Sequence, residues 1–264
     1  MLVLIKGAGD IASGIALRLH RAGMQIVMTD LDKPTAIRRT VCFSQAIRLG
    51  VCTVEDVTAR RCHVDEIKAV LRAGEIPVLA DPECSCREIL KPDVVVDAIL
   101  AKKNLGTKIT DAPAVIAVGP GFSAGLDCHA VVETMRGHYL GRVIWDGPAI
   151  ANTATPGLIG GFAGERVLRA PADGIFRQVL DIGAQVQPGD VAGYVGDMPI
   201  VCTIGGILRG ILPDETPVHK GMKSGDVDPR CVPDHCLCAS DKALAVGGGV
   251  LEAILQKTNV LRHI

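Results

Sequence analysis

The first 30 residues leave the chain little choice of fold. Residues 2–5, Leu-Val-Leu-Ile, form an uninterrupted apolar run, the pattern of a strand covered on both faces. Gly7-x-Gly9-x-x-Ala12 comes next, and Ile11, Ile15, Ala16 and Leu19 recur at helical spacing. Gly7 permits a tight turn, Gly9 lets backbone approach a phosphate, and Ala12 lets a helix lie close on a strand. Asp10 and Ile11 open that helix, whose free N–H groups and dipole attract an anion. A second apolar stretch, residues 24–30, ends in Asp30. That is roughly 20 residues past the glycines, where an acid in such folds binds ribose hydroxyls. The arrangement predicts an α/β fold with a Rossmann-like parallel sheet and a bound nucleotide or dinucleotide.

More strands are legible downstream. Residues 57–60, 76–81, 93–99 and 114–119 are β-branched or apolar runs that end near polar or glycine residues, and 63–74 reads as a helix. In open α/β sheets ligands collect at the carboxyl ends of the strands. Three groups fall at such ends. Asp97 precedes Lys102, Lys103, Asn104 and Thr107; Gly119, Gly121 and Phe122 begin a second glycine loop that leads to Asp127 and His129; Glu133, Arg136, His138 and Arg142 follow. Arg38 and Arg39, soon after the second strand, are candidates for pairing with a ligand phosphate. Asp127, Glu133 and His138 are the candidate acids and bases. Each group also has a structural reading: lysines on a surface turn, a glycine crossover, an internal ion-pair network. Their convergence on one sheet edge favours an anionic, phosphorylated ligand.

The second half of the chain repeats itself. Residues 174–193 align with 206–225 at a constant offset of 32, with Gly174, Ile175, Arg177, Leu180, Val186, Gly189 and Gly193 matched identically. Each copy reads as strand, turn, strand, the pattern of the biotinyl and lipoyl barrel-sandwich carriers. Those carriers hold their cofactor on a lysine at the hairpin joining the two halves. Here that joint, residues 193–200, contains Asp197 and Met198, and no lysine occurs from 109 to 219. The expected organisation is a Rossmann-like ligand-binding domain over 1–165, a barrel-sandwich domain without carrier lysine over 166–230, and a C-terminal segment and helix over 231–264 packing on the first domain. Ser240 or Asp241 caps that helix, and the glycines at 247–249 are expected to interrupt it, through close helix packing or a ligand approach.

Net charge is −1 and aromatics make up 3% of the chain, so nothing favours nucleic acid or a membrane surface. Met1 opens directly on the first strand with no signal-peptide pattern, and no apolar run spans a bilayer, which predicts a cytoplasmic protein. Its ten cysteines then read as thiols. Cys84 and Cys86 form one cluster; one of them is a candidate reactive thiolate. Cys231, His235, Cys236 and Cys238 form another, whose spacing fits zinc poorly, so no metal site is assigned.

The chain resembles the YqeB-type proteins of bacteria, named for a selenium-dependent molybdenum hydroxylase system. The residues carrying the resemblance are 7–14, 76–82, 96–107, 111–127, 131–144, the repeat from 170, and 240–253. The resemblance implies a cytoplasmic accessory or maturation factor for selenium-dependent molybdenum hydroxylases, with no catalytic residues to carry over. The expected ligand is a phosphorylated nucleotide, dinucleotide or molybdopterin-type cofactor. Expected partners are that cofactor, a molybdenum hydroxylase client and a second copy of the chain. A noncatalytic cofactor chaperone with nucleotide sensing and an NAD-dependent oxidoreductase are the alternatives.

Overall fold

The computed structural model describes residues 1–153 and 157–259. In chain order the elements are β1 (Leu2–Lys6), α1 (Asp10–Arg21), β2 (Gln25–Asp30), α2 (Gln45–Leu49), β3 (Val51–Val54), β4 (Val57–Arg61), α3 (Ile67–Arg72), β5 (Ile76–Ala80), α4 (Arg87–Leu90) and β6 (Val94–Asp97). These are followed by β7 (Ala114–Val118), β8 (Ser123–Ala124), β9 (Ala130–Val132), β10 (Val143–Ile144) and β11 (Gly147–Pro148). Next come β12 (Val167–Arg169), β13 (Gly174–Gln178), β14 (Gln185–Val186), β15 (Val191–Val195), β16 (Met198–Val201), β17 (Gly206–Ile211), β18 (Thr216–Val218) and β19 (Lys223–Asp228). The last helix, α5, is Asp241–Thr258. The chain divides into two compact units: one of residues 1–34, 42–153 and 239–264, the other of 35–41 and 154–238. Residues 260–264 of the expected C-terminal segment lie outside the described residues.

The first unit is built on a nine-stranded sheet in the order β10-β9-β7-β6-β1-β2-β5-β4-β3. Seven strands, β9 through β4 in that order, run parallel, while β10 and β3 pair antiparallel with their neighbours at the two edges. Strand pleating sends alternate side chains to opposite faces. Leu4, Val27, Val95, Val115 and Val131 belong to one core cluster, joined by Ile67 and Val70 of α3. The opposite face is covered by α1 and α5, which pack along each other. Full burial of such a Leu, Ile or Val contributes roughly 1.5–3 kcal/mol.

The expected Rossmann-like parallel sheet is corrected: the sheet is mixed. The physical reason lies in two short reversals. Glu55, in a left-handed conformation (φ +56°), closes a tight turn that folds β3 back on β4. Val143 and Ile144 likewise fold back on β9. A second correction concerns α5. Its three glycines do not interrupt it; the helix runs through Gly247–Gly249 and is capped by Ser240, whose hydroxyl accepts the Ala243 amide at 3.2 Å. A Cβ at Gly247 would sit 2.9 Å from the Gly14 carbonyl oxygen of α1. The glycines let two helix backbones touch.

In the second unit the expected biotinyl/lipoyl-like barrel-sandwich is also corrected. The chain forms two four-stranded antiparallel sheets, β12-β19-β17-β14 and β16-β15-β13-β18, and residues 35–41 belong to the same unit. The repeat has a structural counterpart. β13 lies between β15 and β18, and β17 lies between β19 and β14, so each copy gives its short middle strand to the other copy's sheet. Phe176, Leu208, Ile211 and Val227 fill the core between them. The β15–β16 hairpin ends on Gly196 and Asp197, with no amine at its tip.

Candidate functional site

The polar residues of the large sheet share a position. Lys6, Thr29–Asp30 and Asp97 each close an otherwise apolar parallel strand, and Glu133 directly follows another. By alternation Lys6, Thr29 and Asp97 continue the rows of Leu4, Val27 and Val95. They lie at 8%, 2% and 1% exposure, so they must find partners. Lys6 Nζ donates to Thr107 Oγ1 and lies 3.4 Å from Asp97 Oδ2, while Thr107 Oγ1 donates to Asp97 Oδ2. The β1 and β6 ends are thus tied to the loop that follows β6.

On the other face, Gly7 (φ +93°) makes the turn out of β1. An added Cβ there would meet the Ala98 carbonyl oxygen at 2.9 Å, so that side of the bend is closed. Gly9, the N-cap of α1, is different: an added Cβ would meet nothing within 4 Å. The loop between them is held by Asp30. Its Oδ2 accepts the Ala8 amide at 2.8 Å and its Oδ1 accepts the Leu31 amide at 2.7 Å. Burial raises the Asp30 pKa, and those two amide hydrogen bonds oppose the rise. Asp10 and Ile11 form the first turn of α1 and are half-buried, while Ala12 is fully buried.

A cation absent from the sequence-based site also stands here. Lys242, in the first turn of α5, is partly buried. Burial lowers its pKa, Arg136 lowers it further, and the charges of Asp10, Glu133 and Asp241 oppose the drop. Tight packing brings the two helix starts together: a Cβ on Gly14 would lie 2.5 Å from that of Ala243. The only sequence signal for this was the run of small residues at matching places in the two helices.

The other predicted residues have different duties. Asn104 Oδ1 accepts the amides of Gly106 and Thr107, and its Nδ2 donates to Thr107 O and to Asp127 Oδ1. Asp127 Oδ2 accepts the Ser123 amide at 2.8 Å. Lys102 and Lys103 are exposed, and their backbone lies under the second glycine loop, where a Cβ on Gly121 would meet Lys103 N at 2.5 Å. Gly119 (φ +78°) packs against Thr134, and Phe122 is buried in the core. This loop has the geometry of a packed crossover. Glu133, 1% exposed, accepts the amides of Thr134 and Met135 at 2.7 Å and of Ile150 at 2.8 Å. His138 is exposed, with its ring edge-on to Tyr139. Asp127 and Glu133 therefore organise backbone, and neither makes a hydrogen bond to His138 among those described.

Arg38 and Arg39 belong to the second unit. Arg38 donates to the His235 carbonyl at 2.9 Å, and Arg39 to the Ile211 carbonyl at 3.0 Å and Gln178 Oε1 at 2.9 Å. They anchor residues 35–41 within that unit. Of the second cysteine cluster, Cys231 is exposed and Cys236 buried, and Cys238 Sγ donates to the Asp234 carbonyl. No helix among the described residues is long and apolar enough to cross a membrane.

No protein-family model matches the chain. It is 52% identical over 255 residues to the uncharacterized protein YqeB of Escherichia coli (strain K12). The match covers 96% of this chain and 47% of that protein, so the chain spans about half the length of this curated relative. Among solved structures it is similar to a succinylglutamate desuccinylase/aspartoacylase from Rhodobacter sphaeroides, at 13% identity and TM-score 0.27, covering 86% of this chain and 84% of that one. It is also similar to an aspartoacylase family protein from Mesorhizobium loti, at 10% identity and TM-score 0.26, covering 86% and 83%. Likeness this weak transfers no activity to this chain.

Proposed function

We propose that this chain, a homologue of YqeB along about half of that protein's length, is an accessory factor for selenium-dependent molybdenum hydroxylases. On this reading its first unit binds a phosphorylated cofactor, of nucleotide or pterin type, at the start of α1. The observation that carries the binding role is the open side of Gly9 at the head of a 12-residue helix, with the Lys242 charge acting on the same helix start. Helix N-termini attract anions through free N–H groups and the dipole. A partly desolvated lysine adds a charge-assisted donor. The maturation role is drawn from the resemblance to YqeB-type proteins.

Binding without catalysis fits the surroundings better than an enzyme does. Asp127 and Glu133 are engaged by backbone amides, and His138 stands in solvent. Asp30 has one amide on each oxygen, which sets the loop shape and leaves a further lone pair on each for a ligand hydroxyl.

The test begins with denaturing the purified full chain and identifying the small molecules it releases by mass spectrometry. A phosphorylated pterin or nucleotide supports the reading. The recovered compound is then titrated against wild type and Lys242→Met, with roughly tenfold weaker binding expected for the variant, about 1.4 kcal/mol. Failure of the chain to bind any nucleotide or pterin phosphate would end the proposal.

A further inference from the structure

The two thiols at the carboxyl end of β5 do not behave alike. Cys84 and Cys86 lie in the turn between β5 and α4, at 5% and 1% exposure. Asp81 shapes that turn: its backbone carbonyl accepts the Cys84 amide at 3.0 Å, and its Oδ2 accepts the Cys86 amide at 2.8 Å. Cys84 is held at φ +56°, a conformation that residues with a Cβ adopt rarely. Non-glycine residues kept in such regions cluster at functional sites. The two thiols stand two residues apart in this one turn, each acts on the other's charge, and Thr29 acts on Cys84 as well. Lys6, closing β1 on the far side of β2, is the cation that acts on Cys84, and Asp81 is the opposing anion.

These contacts favour thiolate at one sulfur and thiol at the other. Cys86 lowers the Cys84 pKa against the opposing effect of burial, with help from Thr29 and Lys6. The same interaction raises Cys86, which keeps its proton. Other thiols of this unit go the other way. Burial pushes Cys62 up to about 11 and Cys128 up to about 12.

We propose that Cys84 and Cys86 form a peroxide-sensitive dithiol, in which Cys84 is the attacking thiolate and Cys86 the resolving thiol. Burial decides the oxidant. A hydroperoxide near the size of water can approach a residue at 5% exposure; a glutathione-sized disulfide cannot. The Cys84 thiolate attacks one peroxide oxygen and the O–O bond breaks. Sulfur keeps that oxygen as a sulfenic acid, and the other oxygen leaves as hydroxide, which takes a proton to become water. Cys86 then attacks the sulfenic sulfur. A disulfide forms, the hydroxyl leaves, and the Cys86 proton completes a second water. Two thiols and one hydrogen peroxide give one disulfide and two waters. The site is independent of the ligand reading above, because its readout needs no ligand.

The experiment treats the full native chain with hydrogen peroxide, alkylates it after denaturation, and cleaves at arginine and lysine. Cleavage after Arg72 and Arg87 releases residues 73–87, which carry both cysteines. The expected product is this peptide lighter by two hydrogens and unalkylated, restored by reductant, while Cys62 and Cys128 remain alkylated. Its formation is expected to be roughly tenfold faster than any oxidation of Cys62. Cys86→Ser is expected to stop at a Cys84 sulfenic acid captured by dimedone, and Cys84→Ser to form neither product. The wild-type peptide alone decides the matter if a variant does not fold. An alkylated 73–87 peptide at peroxide levels that already oxidise the exposed Cys231 would overturn the proposal. So would protection of the pair by a bound thiophilic metal that peroxide does not displace.

Discussion

Gly7 and Gly9 shape the proposed ligand site, and Lys242 supplies its charge. Gly7 combines a left-handed backbone with a wall 2.9 Å from where a Cβ would stand. Gly7→Ala should therefore cost about 1–3 kcal/mol of stability, read as a lower denaturation midpoint. Gly9 has neither constraint in full, since its side is open. Gly9→Ala should leave the midpoint within about 1 kcal/mol of wild type while weakening ligand binding, which separates packing from recognition. Lys242 was invisible as a site residue because it lies more than 200 residues from the loop it serves. A lysine in the first turn of a C-terminal helix reads as solvated charge until packing puts Asp10 and Glu133 near it.

At the scale of elements, α5 owes its place to small residues. Beyond the α1 contact, a Cβ on Gly249 would sit 2.1 Å from the Gly141 carbonyl oxygen. Gly249→Ala should destabilise the first unit by roughly 1–3 kcal/mol, as overpacking does, measured by chemical denaturation. Gly248, with nothing within 4 Å, is the internal control. Gly248→Ala should be neutral or stabilising by up to about 1 kcal/mol, because alanine is the better helix former. The strand runs at 2–5, 76–81, 93–99 and 114–119 were legible because a strand covered on both faces must be apolar throughout. The edge strands β3 and β10 were not legible. Short strands exposed on one side carry the same mixed polarity as a loop.

Across the whole molecule the two units differ in what fills them. Both have apolar cores, but the first buries a lysine–aspartate pair, Lys6 and Asp97, whereas the second buries a larger arginine–aspartate cluster. Asp226 pairs with Arg166 and Arg209, and Asp228 pairs with Arg209 and Arg230. Burial works to raise the Asp228 pKa, but hydrogen bonds from Arg230 and the charges of Arg209 and Arg230 carry it well below the usual range. Its folded value is depressed, so its stabilising effect is present above the unfolded carboxylate pKa and lost as pH falls through the folded one. Denaturation midpoints should therefore drop as pH falls below about 4. Asp228→Asn should show a shallower drop there and lose roughly 3 kcal/mol at neutral pH, because it strands buried arginine charge.

Sequence alone determined the local chemistry of this protein. Apolar runs set the parallel strands, the Gly7–Gly9 bend follows from the lack of side chains, and the offset of 32 sets the matching halves of the second unit. Such signals are written within a few residues or repeat at fixed spacing. Tertiary structure alone decided which polar groups meet. It reversed the edge strands, placed Arg38 and Arg39 in the second unit, tied Asp127 and Glu133 to amides, and brought Lys242 to α1. Those outcomes depend on which distant segments close-pack, and a buried polar group takes whatever partner that packing supplies.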